Sequence, residues 1–418
     1  MLRFIKYASI AALCLSIIAD PIHVGALYEH DQVFQSTVPR FNGQFGYKLD
    51  SHDSMVLMAE YSENVFLYDQ DSGEYIELAI PEARKLFEVA LDIRDDIIAV
   101  GYISTHYDTL EASGIAYLLN TDGEFLRTIY PPDPINWGHF GASVFIRENE
   151  VYVGEAWADY IEIDEGKVHR FTTQGDFIDS MVAPESNYAT IFGARLDGNN
   201  EKLIITELNG VHGMLKNGEV HIYNRDLRLE RTLTSTQSGL NDFGAALAVT
   251  DEYLLVGESI AEVDGLSRAG LAYLFDFDGN LVTTFKSPNP AAGGLFGFSV
   301  AINSEYVAIG EPRADGTKVI EGAVHLYSLD GSYLETLNSF FPESNSEFGK
   351  SVAFSDDALF VGQPGASVDG LINAGRVLSY SRSDEQGWTR IDLTTFLAVI
   401  LVSFLFFYIR ARSQRVLK

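Results

Sequence analysis

Short apolar or alternating runs recur along the chain between polar turns, and the stretch from Phe296 shows their order. Phe296 to Ile302 alternates, and Asn303-Ser304-Glu305 is a turn. Tyr306 to Pro312 is a second β-rich run, and a polar loop leads to a third, Gly322 to Tyr327. Leu329-Asp330-Gly331-Ser332 is a hairpin signal, because Gly accepts the positive φ that a tight hairpin turn needs. Tyr333 to Leu337 is a fourth run. Period-2 alternation bounded by turn residues predicts strands, and no helical periodicity competes with it between the two ends of the chain.

The same order repeats. Phe-Gly recurs at Phe45-Gly46, Phe140-Gly141, Phe192-Gly193, Phe243-Gly244, Phe296-Gly297 and Phe348-Gly349, with a degenerate copy at Phe87-Glu88. The steps are 42, 53, 52, 51, 53 and 52 residues, which makes seven units. Units of four short strands cannot bury both faces alone, and a ring of such sheets does. The predicted fold is all-β, a seven-bladed β-propeller with four antiparallel strands per blade. The seventh unit stops after a third strand, Arg376 to Tyr380. Gln32 to Pro39 matches the run Tyr333 to Pro342 that precedes the seventh Phe-Gly, so it is expected to supply the missing strand and cover the seam.

The two ends differ from this pattern. Residues 1–26 read as a signal peptide: Arg3 and Lys6 precede an apolar run, Tyr7 to Ala19, and Val24-Gly25-Ala26 offers a cleavage site. Cleavage nearer Ala19, or an uncleaved anchor, fits the same residues. The propeller takes 27–385 and a linker 386–392. Residues 393–409 are uncharged and just long enough to cross the roughly 30 Å of hydrocarbon as a transmembrane helix. Arg410, Arg412, Arg415 and Lys418 follow in a basic tail, 410–418. Basic residues stay on the cytoplasmic side, so the expected topology is single-pass type I, with the propeller extracellular or periplasmic.

Charge and cysteine content narrow the partners. The single cysteine, Cys14, lies in the signal, so the propeller is expected to rely on its core rather than on disulfides. The net charge is −30, and outside the signal and the tail 23 basic residues face 58 acidic ones, a net of −35. Such a surface argues against nucleic acid or anionic lipid as ligand.

The pattern Phe-Gly-x-Ser-Val-Ala, then Val-x-Ile-Gly-x-Pro, then Gly-x-Val-x-x-Tyr resembles the FG-GAP repeat of integrin α-subunit ectodomains. Phe296 to Tyr327 and Phe348 to Tyr380 carry it best, and the likeness extends over residues 32 to 382. The resemblance implies a propeller used for adhesion or recognition, usually without chemistry. It also implies calcium loops between the first two strands of some blades, and here those turns are too short. Arg147-Glu148-Asn149-Glu150, Thr250-Asp251-Glu252 and Asn303-Ser304-Glu305 lack the spacing that lets six oxygens converge on Ca²⁺. No metal ligand and no cofactor is predicted.

A second departure concerns the alanine of the family's Gly-Ala-Pro. Aligned by repeat, this position holds Glu60, Tyr102, Glu155, Glu207, Glu258, Glu311 and Gln363. Two readings fit: a negative mouth around the central channel, or carboxylates that accept backbone N–H groups from nearby turns. His169, His221 and His325 recur in the third strand and read as packing between blades. The loops on the glutamate face carry Trp137 and His139, then Trp157, Asp159 and Tyr160. Trp and Tyr beside carboxylates suit a sugar or peptide ligand, and local packing between loops is the other reading. With Glu155, Glu207, Glu258 and Glu311 these are the candidate binding residues. No Gly-x-Ser-x-Gly elbow and no His-rich metal motif is present, so no catalytic residue is predicted. The expectation is a surface recognition or adhesion module binding an extracellular protein or glycan. The alternative is a glycan-active hydrolase or lyase on the same scaffold.

Overall fold

Apolar residues two apart on each run face the same side of a pleated strand, and here both sides are covered. A computed structural model describes residues 27–61, 64–81, 89–106, 110–156, 166–184, 190–209, 218–237, 242–316, 318–356 and 358–382. Among these, 28 strands form seven four-stranded sheets. The propeller is the unit His30–Ser381.

The first blade consists of Lys48–His52, Met55–Ala59, Val65–Asp69 and Tyr75–Glu77. The second has Val89–Arg94, Ile97–Tyr102, Ile115–Asn120 and Phe125–Ile129. The third has Phe140–Arg147, Glu150–Glu155, Lys167–Thr172 and Phe177–Met181. The fourth has Thr190–Gly198, Lys202–Asn209, Glu219–Asn224 and Leu229–Thr234. The fifth has Ala246–Val249, Tyr253–Glu258, Leu271–Asp276 and Leu281–Phe285. The sixth has Ser299–Ile302, Tyr306–Glu311, Ala323–Ser328 and Tyr333–Leu337. The seventh has Val352–Phe354, Ala358–Gln363 and Arg376–Arg382, and its fourth strand is Tyr28–Phe34. The N-terminal strand therefore closes the ring, as the repeat pattern predicts. It ends at Phe34 rather than continuing to Pro39, because the chain bends at Thr37–Val38 and Pro39 has no N–H for a ladder.

The seven first strands surround a central cavity. Each packs on the next, and that of the seventh blade packs back on that of the first. Second and third strands are buried, while the fourth begins with exposed residues such as Phe177 and Tyr333. A β-bulge interrupts the pairing of third and fourth strands in blades two to six and adds the local twist a blade needs.

The repeated residues hold blade to blade. The six Phe-Gly phenylalanines have no exposed surface. The glycine after each adopts positive φ, 83° at Gly297 and 84° at Gly349, and, except at Gly244, which meets Thr206, its carbonyl presses on a second-strand glycine of the preceding blade. A Cβ at Gly310 would collide with the Gly349 carbonyl, and one at Gly362 with that of Gly46. The serine two residues on donates to the same carbonyl of the next blade: Ser143 to Gly193 at 2.6 Å, Ser299 to Gly349 at 2.8 Å, and Ser351 to Gly46 at 2.8 Å across the seam. The degenerate Phe87-Glu88 and the expected signal, linker, membrane span and tail lie outside the described residues. Among the described residues no helix is long and apolar enough to cross a membrane.

Candidate functional site

The repeat-aligned glutamates stand at or near the end of the second strands, one layer beneath the loops: Glu155, Glu258 and Glu311 are last residues, and Glu207 stands just before the end of its strand. Glu155, Glu207, Glu258 and Glu311 are 0–4% exposed, so their carboxylates are enclosed by protein and do not form an open negative mouth. The enclosure is built by side-chain donors, not by the turn N–H groups the sequence suggests. His169 Nε2 lies 2.7 Å from Glu155 Oε2, His221 Nε2 3.1 Å from Glu207 Oε2, and His325 Nε2 2.8 Å from Glu311 Oε2. Tyr273 donates to Glu258 at 2.6 Å. The other ring nitrogen of each histidine meets a fourth-strand hydroxyl: Ser180 at 2.8 Å, Thr232 at 3.0 Å and Thr336 at 2.9 Å. Each imidazole also packs on the Phe of its own blade, with centroids 5.7 Å apart for Phe140–His169 and Phe296–His325. The histidines thus tie strands within a blade.

A serine leaving the fourth strand of the preceding blade adds a second donor. Ser235 reaches Glu258 at 2.8 Å, Ser287 reaches Glu311 at 2.7 Å, and Ser339 reaches Gln363 at 2.9 Å. Glu60 faces Phe66 where blades two to six have His or Tyr and the seventh has Leu378. Burial accordingly pushes its carboxyl above the ordinary range.

The loops before Phe45, Phe140, Phe296 and Phe348 are clamped to the second-to-third-strand loop of the preceding blade. Trp137 N–H donates to Glu111 O, His139 N–H to Ala112 O and Phe140 N–H to Ser113 O. Asn42, Gly293 and Asn345 donate at the position of Trp137 in other blades. All four have positive φ: 61° at Trp137, 57° at Asn42, 80° at Gly293 and 61° at Asn345. Asn and Gly suit this left-handed geometry, and an indole side chain does not. Trp137 is nonetheless held there with 47% of its surface exposed. Its ring centroid is 6.3 Å from that of His139, which also has positive φ. Beneath them lies Glu155, so close that a Cβ at Gly138 would come within 2.5 Å of its Oε1. Trp137, His139 and Glu155 are therefore brought together, while Trp157, Asp159 and Tyr160 lie outside the described residues. Further round the same face Phe340 and Phe41 are 65% and 64% exposed, and Val319 and Ile372 are exposed too.

The central cavity, about 350 Å³, is lined unevenly at one aligned first-strand position. Blades five to seven line it with Ala248, Ala301 and Ala353. Blades one, two and four have Asp50, Asp92 and Asp197 at the aligned position. Arg94 lies among them, 3.3 Å from Asp197 and 3.7 Å from Asp92. Asp50 accepts from Ile93 N–H at 3.0 Å and Asp92 from Ile146 N–H at 2.5 Å, each across a blade boundary. Burial raises all three carboxyls against the opposing pull of Arg94: Asp92 well above the ordinary value, Asp197 to about 6. Burial pulls the Arg94 pKa down, and the surrounding carboxylates outweigh it and hold the guanidinium charged.

Sequence reasoning missed this cluster and the Glu–His pairs. The pairs had a signal, since each histidine follows its glutamate by 14 residues. No family model and no curated protein matches this chain.

Proposed function

We propose that this protein is a surface recognition module of FG-GAP-like type that binds an extracellular protein or glycan through the loop face around Trp137. A C-terminal membrane helix and basic tail would hold it at the cell surface, propeller outward. The observation that carries this reading is Trp137 itself. A large aromatic residue occupies a strained left-handed position where three other described blades take Asn or Gly, and its indole faces solvent. Strain kept at an exposed aromatic serves contact with a ligand better than it serves the fold. His139 stands beside it and the buried Glu155 supports the loop from below. The strand-two glutamates act here as supports; buried and bonded, they offer a glycosidase no accessible acid–base pair.

The test is binding on a glycan array by the purified protein and its Trp137→Asn variant. Retention by the wild type and loss in a variant of unchanged melting temperature is the expected result. Equal retention by both would remove Trp137 from the ligand surface, and absence of any retained glycan would move the reading to a protein ligand.

A further inference from the structure

The fourth blade differs from its neighbours in one respect that the recognition reading does not use. In blades three, four and six the same pair recurs: a buried second-strand glutamate against a third-strand histidine, with a hydroxyl behind the ring. The third-strand residue directly opposite that glutamate is Lys167 in the third blade and Ala323 in the sixth. In the fourth it is Glu219, opposite Glu207. Directly opposed residues of paired strands share a face, and so do residues two apart on one strand. Glu207, Glu219 and His221 consequently point into one space. Their ligand atoms all lie within 4.8 Å of one another, with His221 Nε2 3.1 Å from Glu207 Oε2 and 3.9 Å from Glu219 Oε2.

We propose that Glu207, Glu219 and His221 form a divalent transition-metal site, with Zn²⁺ as the ion it suits best. Zinc takes imidazole nitrogen and carboxylate oxygen at about 2.0–2.2 Å, which sets tetrahedral ligands roughly 3.3–3.5 Å apart. The separations bracket that span, and Glu219, half-buried at the edge of the group, has room to close the longer one. His221 has its second nitrogen held by Thr232 Oγ1 at 3.0 Å, the outer contact that fixes ring orientation and leaves Nε2 to the metal. With Nε2 on the metal, the ring proton sits on Nδ1 and is donated to Thr232 Oγ1. Three protein ligands leave a fourth position for water or a ligand group.

The sister blades supply the controls. The purified full-length protein is titrated with Zn²⁺ by calorimetry, and with Co²⁺ to read its visible d–d absorption. One tight equivalent with a tetrahedral Co²⁺ spectrum is expected. Glu219→Gln removes a ligand without disturbing the buried Glu207–His221 pair, and should weaken binding more than tenfold with an unchanged melting temperature of the metal-free protein. Lys167→Glu gives the third blade the same three side chains around Glu155 and His169, and should add a second equivalent. Two results overturn the proposal: no zinc bound by the wild type at millimolar concentration, or binding of unchanged affinity in Glu219→Gln, which would assign the ion to the acidic surface at large.

Discussion

Trp137 shows how a single residue can be worth less to the fold than its replacement. Holding a side chain with a Cβ at φ 61° costs about 1–2 kcal/mol, and asparagine, which stands at the same place in two other blades, tolerates it better. Trp137→Asn should leave the melting temperature unchanged or raise it slightly while removing ligand binding, and a calorimetric scan beside the array assay separates the two effects. The Phe-Gly phenylalanines behave in the opposite way. Phe348 is fully enclosed, so Phe348→Ala leaves a large cavity and should cost about 3–5 kcal/mol, read as a shift of the denaturation midpoint. A loss under 1 kcal/mol would mean that the blade closes over the gap, and would count against the phenylalanine as a packing anchor.

At the scale of the element, the first strands of blades one, two and four carry a pH dependence. The Asp197 carboxyl titrates near 6 in the folded protein because burial penalises its charged form, against an ordinary value of 3.8. The folded state then binds the proton more tightly than the unfolded chain does. Its contribution is full below about pH 4 and is lost as pH rises through 6. Asp197→Asn removes that dependence and keeps an acceptor for Gly198 N–H. Subtracting the wild-type stability from that of the variant, by denaturant melts at pH 4, 5, 6 and 7, should give a difference that grows with pH; a flat difference would contradict the burial argument. These strands also mark how far the sequence could be read. Alternation, turn residues and the Phe-Gly step define the blades because each unit solves the same packing problem with the same residues. The Asp–Arg cluster departs from the repeat, so periodicity hides it: Asp50, Asp92 and Asp197 become neighbours only when the ring closes. The Glu–His spacing of 14 was visible, but pairing needs strand register, which places His221 beside Glu207 and Glu219 opposite it. Burial of the glutamates depends on the serines of the preceding blade, 23 or 24 residues upstream, and no local pattern announces that contact.

Over the whole molecule the ring has one seam. Tyr28–Phe34 completes the seventh blade beside Arg376–Arg382, with Gln32 N–H donating to Ser379 Oγ at 3.1 Å. Phe34 is buried among Tyr68, Tyr75 and Phe360, so this strand also joins the first blade to the last. A chain beginning at residue 35 loses that strand, and its unfolding should split into a low-temperature step for the seventh blade and a later one for the rest. A single transition at the wild-type temperature would show that the seam strand is dispensable. The same seam decides how the protein carries mechanical load. Chain entry and chain exit lie on adjacent antiparallel strands of one blade, so a pull on both ends peels that pair apart one hydrogen bond at a time and never stretches the other six blades. Such a ring yields at low force and opens at a fixed place. For a receptor held at one end and drawn on by its ligand, resistance then depends on where the ligand grips: a hold on the loops of distant blades loads the ring across its whole width and bypasses the zipper.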